Sequence, residues 1–73
     1  MINTINQFGR NAGMVFSLLS EEGTLPIDEI ANKTHLRMYE TEMAIGWLAR
    51  ENKIALSEGK YHLSQTNLTE SIG

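Results

Sequence analysis

The sequence predicts a single, mostly α-helical domain that contains three helices and a small β-hairpin. Three observations support this fold class: helical spacing of the apolar residues in three segments, one hairpin-type turn, and a length of 73 residues. That length allows one domain with one small core. Hydrophobic residues make up 41% of the chain, which is enough for a globular fold. We expect residues 1–63 to form the domain and residues 64–73 to be a flexible C-terminal tail.

The first helix is predicted from apolar residues that recur on one helical face and not in strand-like alternation. Thr4 or Asn3 is positioned to cap its start, and Gly23 to end it. The face from Ile5 onward is made of Phe8, Ala12, Val15, Phe16 and Leu19.

Two glycines interrupt this helix, Gly9 and Gly13, and both lie at the edge of its apolar face. Each costs about 1 kcal/mol relative to alanine in a helix interior. Two explanations are open: close packing inside the domain, or a helix–helix contact between two chains.

Two further helices follow a short extended piece at Leu25-Pro26, since proline disfavours helix in the residue before it. Residues 27–33 form a brief second helix, residues 34–36 a turn, and residues 37–51 a third helix. Asn52 tolerates the left-handed conformation of a helix end. The predicted core stripe of the third helix is Met38, Thr41, Ala44, Ile45 and Leu48.

Two short strands, residues 53–57 and 60–63, flank the hairpin-type turn Glu58-Gly59. Helices joined by a short turn and followed by a hairpin are the winged helix-turn-helix arrangement. In this arrangement LPIDEIANKTHL is the first helix and turn, MYETEMAIGWLARENKI the second helix, and IALSEGKYHL the wing. His35 departs from the pattern, because such domains often have glycine at this turn position.

Two stretches, GRNAG at residues 9–13 and GWLARENKI at residues 46–54, carry a closer likeness. With them the chain resembles a family of short, single-domain prokaryotic winged helix-turn-helix proteins of unknown function. The resemblance implies the fold and a homodimer. It implies no enzyme activity and no established ligand.

The sequence does not contain a residue pattern that indicates catalysis, a cofactor or a bound metal. The chain has no cysteine, and its two histidines, His35 and His62, lie in different elements. A zinc site needs three or four suitable ligands. The sequence also shows neither a long apolar run nor a secretion signal, so we expect a non-enzymatic cytoplasmic protein without a membrane span.

DNA binding is the function that the fold class favours. The start of the third helix would enter the major groove and the wing would touch the backbone. Arg37 is suited to guanine, while Lys33 and Lys60 are suited to phosphates. The formal net charge of −3 argues against high affinity for a polyanion such as DNA. The groove-facing residues are predicted to be His35, Arg37, Tyr39, Glu40, Glu42 and Met43.

The third helix has a second semi-apolar stripe opposite its core stripe. We expect the hairpin or the first helix to cover Trp47, whereas Tyr39 and Met43 are harder to bury in a small domain. Trp, Tyr, Met and Arg are enriched at protein interfaces. The stripe is Tyr39, Met43, Gly46, Trp47 and Arg50. Two functions therefore stay open: a dimeric DNA-binding transcription regulator, or a protein–protein interaction module that does not bind DNA.

Overall fold

The computed structural model describes the backbone of residues 4–64 and the side chains of residues 9–64. Three helices pack together and lead into one antiparallel two-stranded hairpin, as the sequence predicted. The predicted tail lies outside the described residues, apart from Ser64. The elements are α1 (Thr4–Glu22), α2 (Ile27–Thr34), α3 (Met38–Arg50), β1 (Ile54–Ser57) and β2 (Lys60–Leu63).

The core lies mainly between α1 and α3, and α2 and the hairpin close its ends. Thr41 is completely buried, yet its hydroxyl donates to the carbonyl oxygen of Arg37 at 3.0 Å. Its burial therefore leaves no polar group without a partner. The apolar members of this core are Ala12, Val15, Leu19, Leu25, Ile30, Ala44, Ile45, Leu48 and Ile54.

The hairpin is fixed to the helices by a further backbone pairing outside the two strands. Ile54 pairs with Leu63 and Leu56 with Tyr61, so these four residues lie on one face of the hairpin. On the other side of β2, Leu25 and Tyr61 exchange two N–H···O bonds of 3.0 and 2.8 Å. This bridge ties the segment before α2 to the wing, so that β2 has a backbone partner on both sides.

The helices α2 and α3 are each followed by a residue in the left-handed conformation. His35 ends α2 in the left-handed conformation, with φ 64°, where glycine has no steric cost. The N–H of Leu36 then donates to the carbonyl of Ala31 at 3.2 Å, as in a Schellman motif. Asn52 ends α3 in the same conformation, with φ 60°. The prediction for Asn52 is confirmed, whereas the left-handed conformation of His35 was not predicted.

Two predicted core residues are partly exposed. Met38 is 42% exposed and Phe16 is 37% exposed. Met38 is the first residue of α3, which begins one residue later than predicted because Arg37 is its extended N-cap. Phe16 lies at the edge of the apolar face of α1. Helical spacing placed both residues on the correct side of their helices but did not show how far the core extends.

Candidate functional site

The helix-turn-helix segment presents its polar residues to solvent around the start of α3. His35, Arg37 and Tyr39 are all exposed, with Tyr39 at 58%. The left-handed turn at His35 and the extended Arg37 direct the chain from α2 into α3. Lys33, at the end of α2, belongs to the same segment, whereas Lys60 lies apart from it, on the hairpin.

The cation of Lys33 is partly neutralised by the end of α1. Its Nζ lies 3.6 Å from Oε1 of Glu22, and both side chains are about 40% exposed. An exposed pair of this kind contributes about 0–1 kcal/mol. A phosphate of similar charge can therefore compete for Lys33 at little energetic cost.

Glu40 caps α3. Its Oε1 accepts the backbone N–H of Arg37 at 2.9 Å, and the side chain is half-buried. A carboxylate in the first turn also interacts favourably with the helix dipole. This contact gives Glu40 a structural role at the start of α3, and its predicted place among the groove-facing residues stays a prediction. Glu42 remains an exposed acid on α3.

The outward face of α3 is apolar and uncovered within the described part of the chain. Met43 is 46% exposed, and a Cβ built at Gly46 would meet no atom within 4 Å. Together with Trp47 and Arg50, these residues line a shallow hollow of about 460 Å³. Four of the five residues of the predicted second stripe therefore line one hollow on α3. Tyr39, at the N-terminal end of the helix, is not part of its lining.

Trp47 is the most sheltered member of this stripe. It is half-buried, packs against the core, and shares a groove with Phe16 of α1. The expectation that another element covers part of its ring is confirmed. No local sequence pattern indicates this groove, because it forms only where α1 and α3 meet.

The described residues were also compared with the requirements of a metal site and of a membrane-spanning helix. Among the residues that the structure describes, histidine and acidic side chains form no cluster of three or more that would hold a metal ion. No described helix has the length and apolar character needed to cross a membrane.

The fold and the exposed start of α3 define a winged helix-turn-helix domain, which is a DNA-binding type of module. The chain belongs to the family described as winged helix-turn-helix domain (DUF2582), whose model matches residues 2–67. Such domains are typically non-enzymatic.

A solved relative has the same fold. The chain is similar to protein BT2368 from Bacteroides thetaiotaomicron, known from a solution NMR structure, with 34% sequence identity and a TM-score of 0.78. The match covers 100% of this chain and 90% of that protein. No curated protein matches the chain.

Proposed function

We propose that the chain is a non-enzymatic, cytoplasmic transcription regulator that binds duplex DNA as a homodimer. The observation that carries the proposal is the exposure of Arg37 and Tyr39 at the N-terminus of α3, the second helix of the helix-turn-helix segment. In this class the N-terminal residues of that helix contact base edges. Arg37 would read guanine, His35 and Lys33 would lie near the backbone, and Lys60 of the wing would contact a phosphate.

The charges of this surface predict modest, salt-sensitive affinity. Each protomer offers three cations, Lys33, Arg37 and Lys60, on a chain whose net charge is −3. Neutralising about three phosphates per protomer, and so about six per dimer, gives a slope of about −5 for log K of the dimer against log salt. Because the carboxylate of Glu40 is engaged in the helix cap, Glu42 is the acidic residue of the predicted groove set that stays exposed.

The proposal is tested by selection from a randomised duplex pool at low salt, followed by anisotropy titrations with the enriched duplex. Arg37→Ala should weaken binding by about 1–3 kcal/mol, roughly tenfold or more, and relax the preference at one base position. Arg10→Ala removes the same charge from an exposed position of α1 and serves as the matched control. The absence of enrichment, or equal losses in both variants, contradicts DNA binding through α3.

A second candidate function is favoured by the apolar outward face of α3. Tyr39 and Met43 are large, mainly apolar side chains that are 58% and 46% exposed. No atom lies within 4 Å of a Cβ built at Gly46 beside them. In this alternative the chain is a protein-interaction module whose partner covers Tyr39, Met43, Gly46, Trp47 and Arg50. The two functions compete for Tyr39, but they differ farther along the helix. Tyr39 and Arg50 are about 16 Å apart along the axis, and in this class the N-terminal residues of the helix are the ones that contact base edges.

A further inference from the structure

Two opposite charges lie on α3 at equal distances from Gly46. Glu42 comes four residues before this glycine and Arg50 four residues after it, so each is about 6 Å away along the helix axis. Residues spaced by four form one of the surface ridges through which α-helices pack against each other. This ridge therefore has a negative N-terminal end, a glycine in the middle and a positive C-terminal end.

Neither charge of this ridge has an ionic partner in the described part of the chain. Glu42 and Arg50 are both exposed, and the ion pair found among the described residues joins Lys33 to Glu22. The helix itself offers no partner either, since neither residue has an opposite charge three or four positions away. Both charges are therefore available to another molecule.

The glycine in the middle of the ridge is not required by the packing of the described residues. A Cβ built at Gly46 would meet no atom of that part of the chain within 4 Å. Glycine is nonetheless the poorest helix former after proline, and its missing side chain allows another backbone to come close. Met43, which is 46% exposed, lies on the neighbouring ridge. The middle of the ridge is thus suited to a close approach by a second helix.

A ridge with opposite charges at equal distances from its middle is complementary to itself when a second copy is reversed. A two-fold axis at Gly46 brings Glu42 of each copy beside Arg50 of the other, so that the ion pair forms twice, as in any isologous contact. Ridges of this type align when two helices cross at about −50°. The antiparallel direction also places the positive end of one helix dipole near the negative end of the other.

We propose that the partner of the outward face of α3 is a second copy of the same chain, whose α3 crosses the first antiparallel at Gly46. The proposal rests on the second candidate function, the protein-interaction module, and names its partner. Met43 would be covered by the crossing. Tyr39 is about 10 Å from the crossing point along the axis, where the two helices already diverge.

The proposed contact is small, and the dimer should therefore be weak. Specific, stable interfaces bury about 1,200–2,000 Å², and a single helix crossing lies at or below the low end of this range. Two ion pairs between exposed side chains add little affinity, but they fix the direction and register of the helices. Association is accordingly measured at protein concentrations up to about 1 mM.

The test is a charge exchange in the full chain, followed by sedimentation equilibrium at low salt. Glu42→Arg and Arg50→Glu should each weaken self-association at least about tenfold, because the homodimer of either variant holds two pairs of like charges. An equimolar mixture of the two variants should associate about as well as the parent, since each pair in the mixed dimer is again of opposite charge. The double variant, which carries both exchanges in one chain, should also associate like the parent.

Glu29→Arg is the matched control, because it makes the same change of net charge at an exposed position of α2. An equal loss in this control would assign the effect to net charge and overturn the proposal. A parent that stays monomeric up to about 1 mM, or a mixture that associates no better than the single variants, also overturns it. If Met43→Glu still dissociates the parent dimer in the latter case, the interaction function of α3 stands and only the antiparallel arrangement at Gly46 fails.

Discussion

The two faces of α3 have similar apolar spacing in the sequence, but in the structure one face is buried and much of the other is exposed. On the inward face, Thr41, Ala44 and Leu48 are all less than 5% exposed. On the outward face, Tyr39 is 58% and Met43 46% exposed. The difference arises because α1, α2 and the hairpin all pack on the inward side. A helical pattern therefore shows which residues are apolar, while the number of neighbouring elements decides which of them are covered.

This contrast separates residues that hold the fold from residues that are available to a partner. A domain of this size buries only about 60% of the surface that its unfolded chain exposes, so one helix cannot have both faces sheltered. The inward stripe accounts for folding. On the outward stripe, Tyr39 and Met43 contribute little to folding because they are largely in solvent, whereas Trp47 packs against the core.

The largest expected effect is on the free energy of unfolding. Leu48→Ala should destabilise the domain by about 2–5 kcal/mol, because it removes buried methyl groups and leaves a cavity. Met43→Ala should change the stability by no more than about 0.5 kcal/mol, since the side chain is half in solvent. Urea denaturation of both variants checks the pair. Comparable losses would mean that the outward face also belongs to the core.

The next largest effect is on self-association. Met43→Glu should shift sedimentation from dimer to monomer, since a carboxylate enclosed in an interface without a partner is strongly unfavourable. Leu56→Glu is the matched control, because Leu56 is a similarly exposed aliphatic residue, 59%, on the hairpin. Dissociation by Leu56→Glu alone would place the contact at the wing. A variant of Met43 that sediments and binds like the parent would contradict an interface on α3.

Much of the fold could be predicted because its signals are local. The turn Glu58-Gly59, the left-handed end at Asn52, and the core spacing of α3 each depend on residues close in sequence. The bridge between Leu25 and Tyr61 could not be predicted in this way. It joins residues far apart in the chain, and only the packing of the helices brings them together.

The candidate site was predictable in position more than in detail. Exposure of Arg37 and Tyr39 followed from the helix-turn-helix arrangement, but the role of Glu40 did not. A capping box is usually recognised from Ser or Thr three residues before the glutamate, and here that position is Arg37. The ion pair of Lys33 with Glu22 was missed because the partners lie on different helices.

The smallest expected effect has opposite signs for folding and for association. Gly46→Ala should stabilise the isolated domain by about 0.5–1 kcal/mol, since alanine is the better helix former and nothing in the described part of the chain meets the added methyl group. The same methyl group would hinder a partner that packs closely against α3, so the dimer should weaken. Urea denaturation and sedimentation equilibrium are measured on the same variant, at concentrations where the stability of the monomer is resolved. A variant that is less stable as a monomer would show that the chain itself lies against Gly46, whereas unchanged association would remove Gly46 from the interface and confine any contact to Tyr39 and Met43.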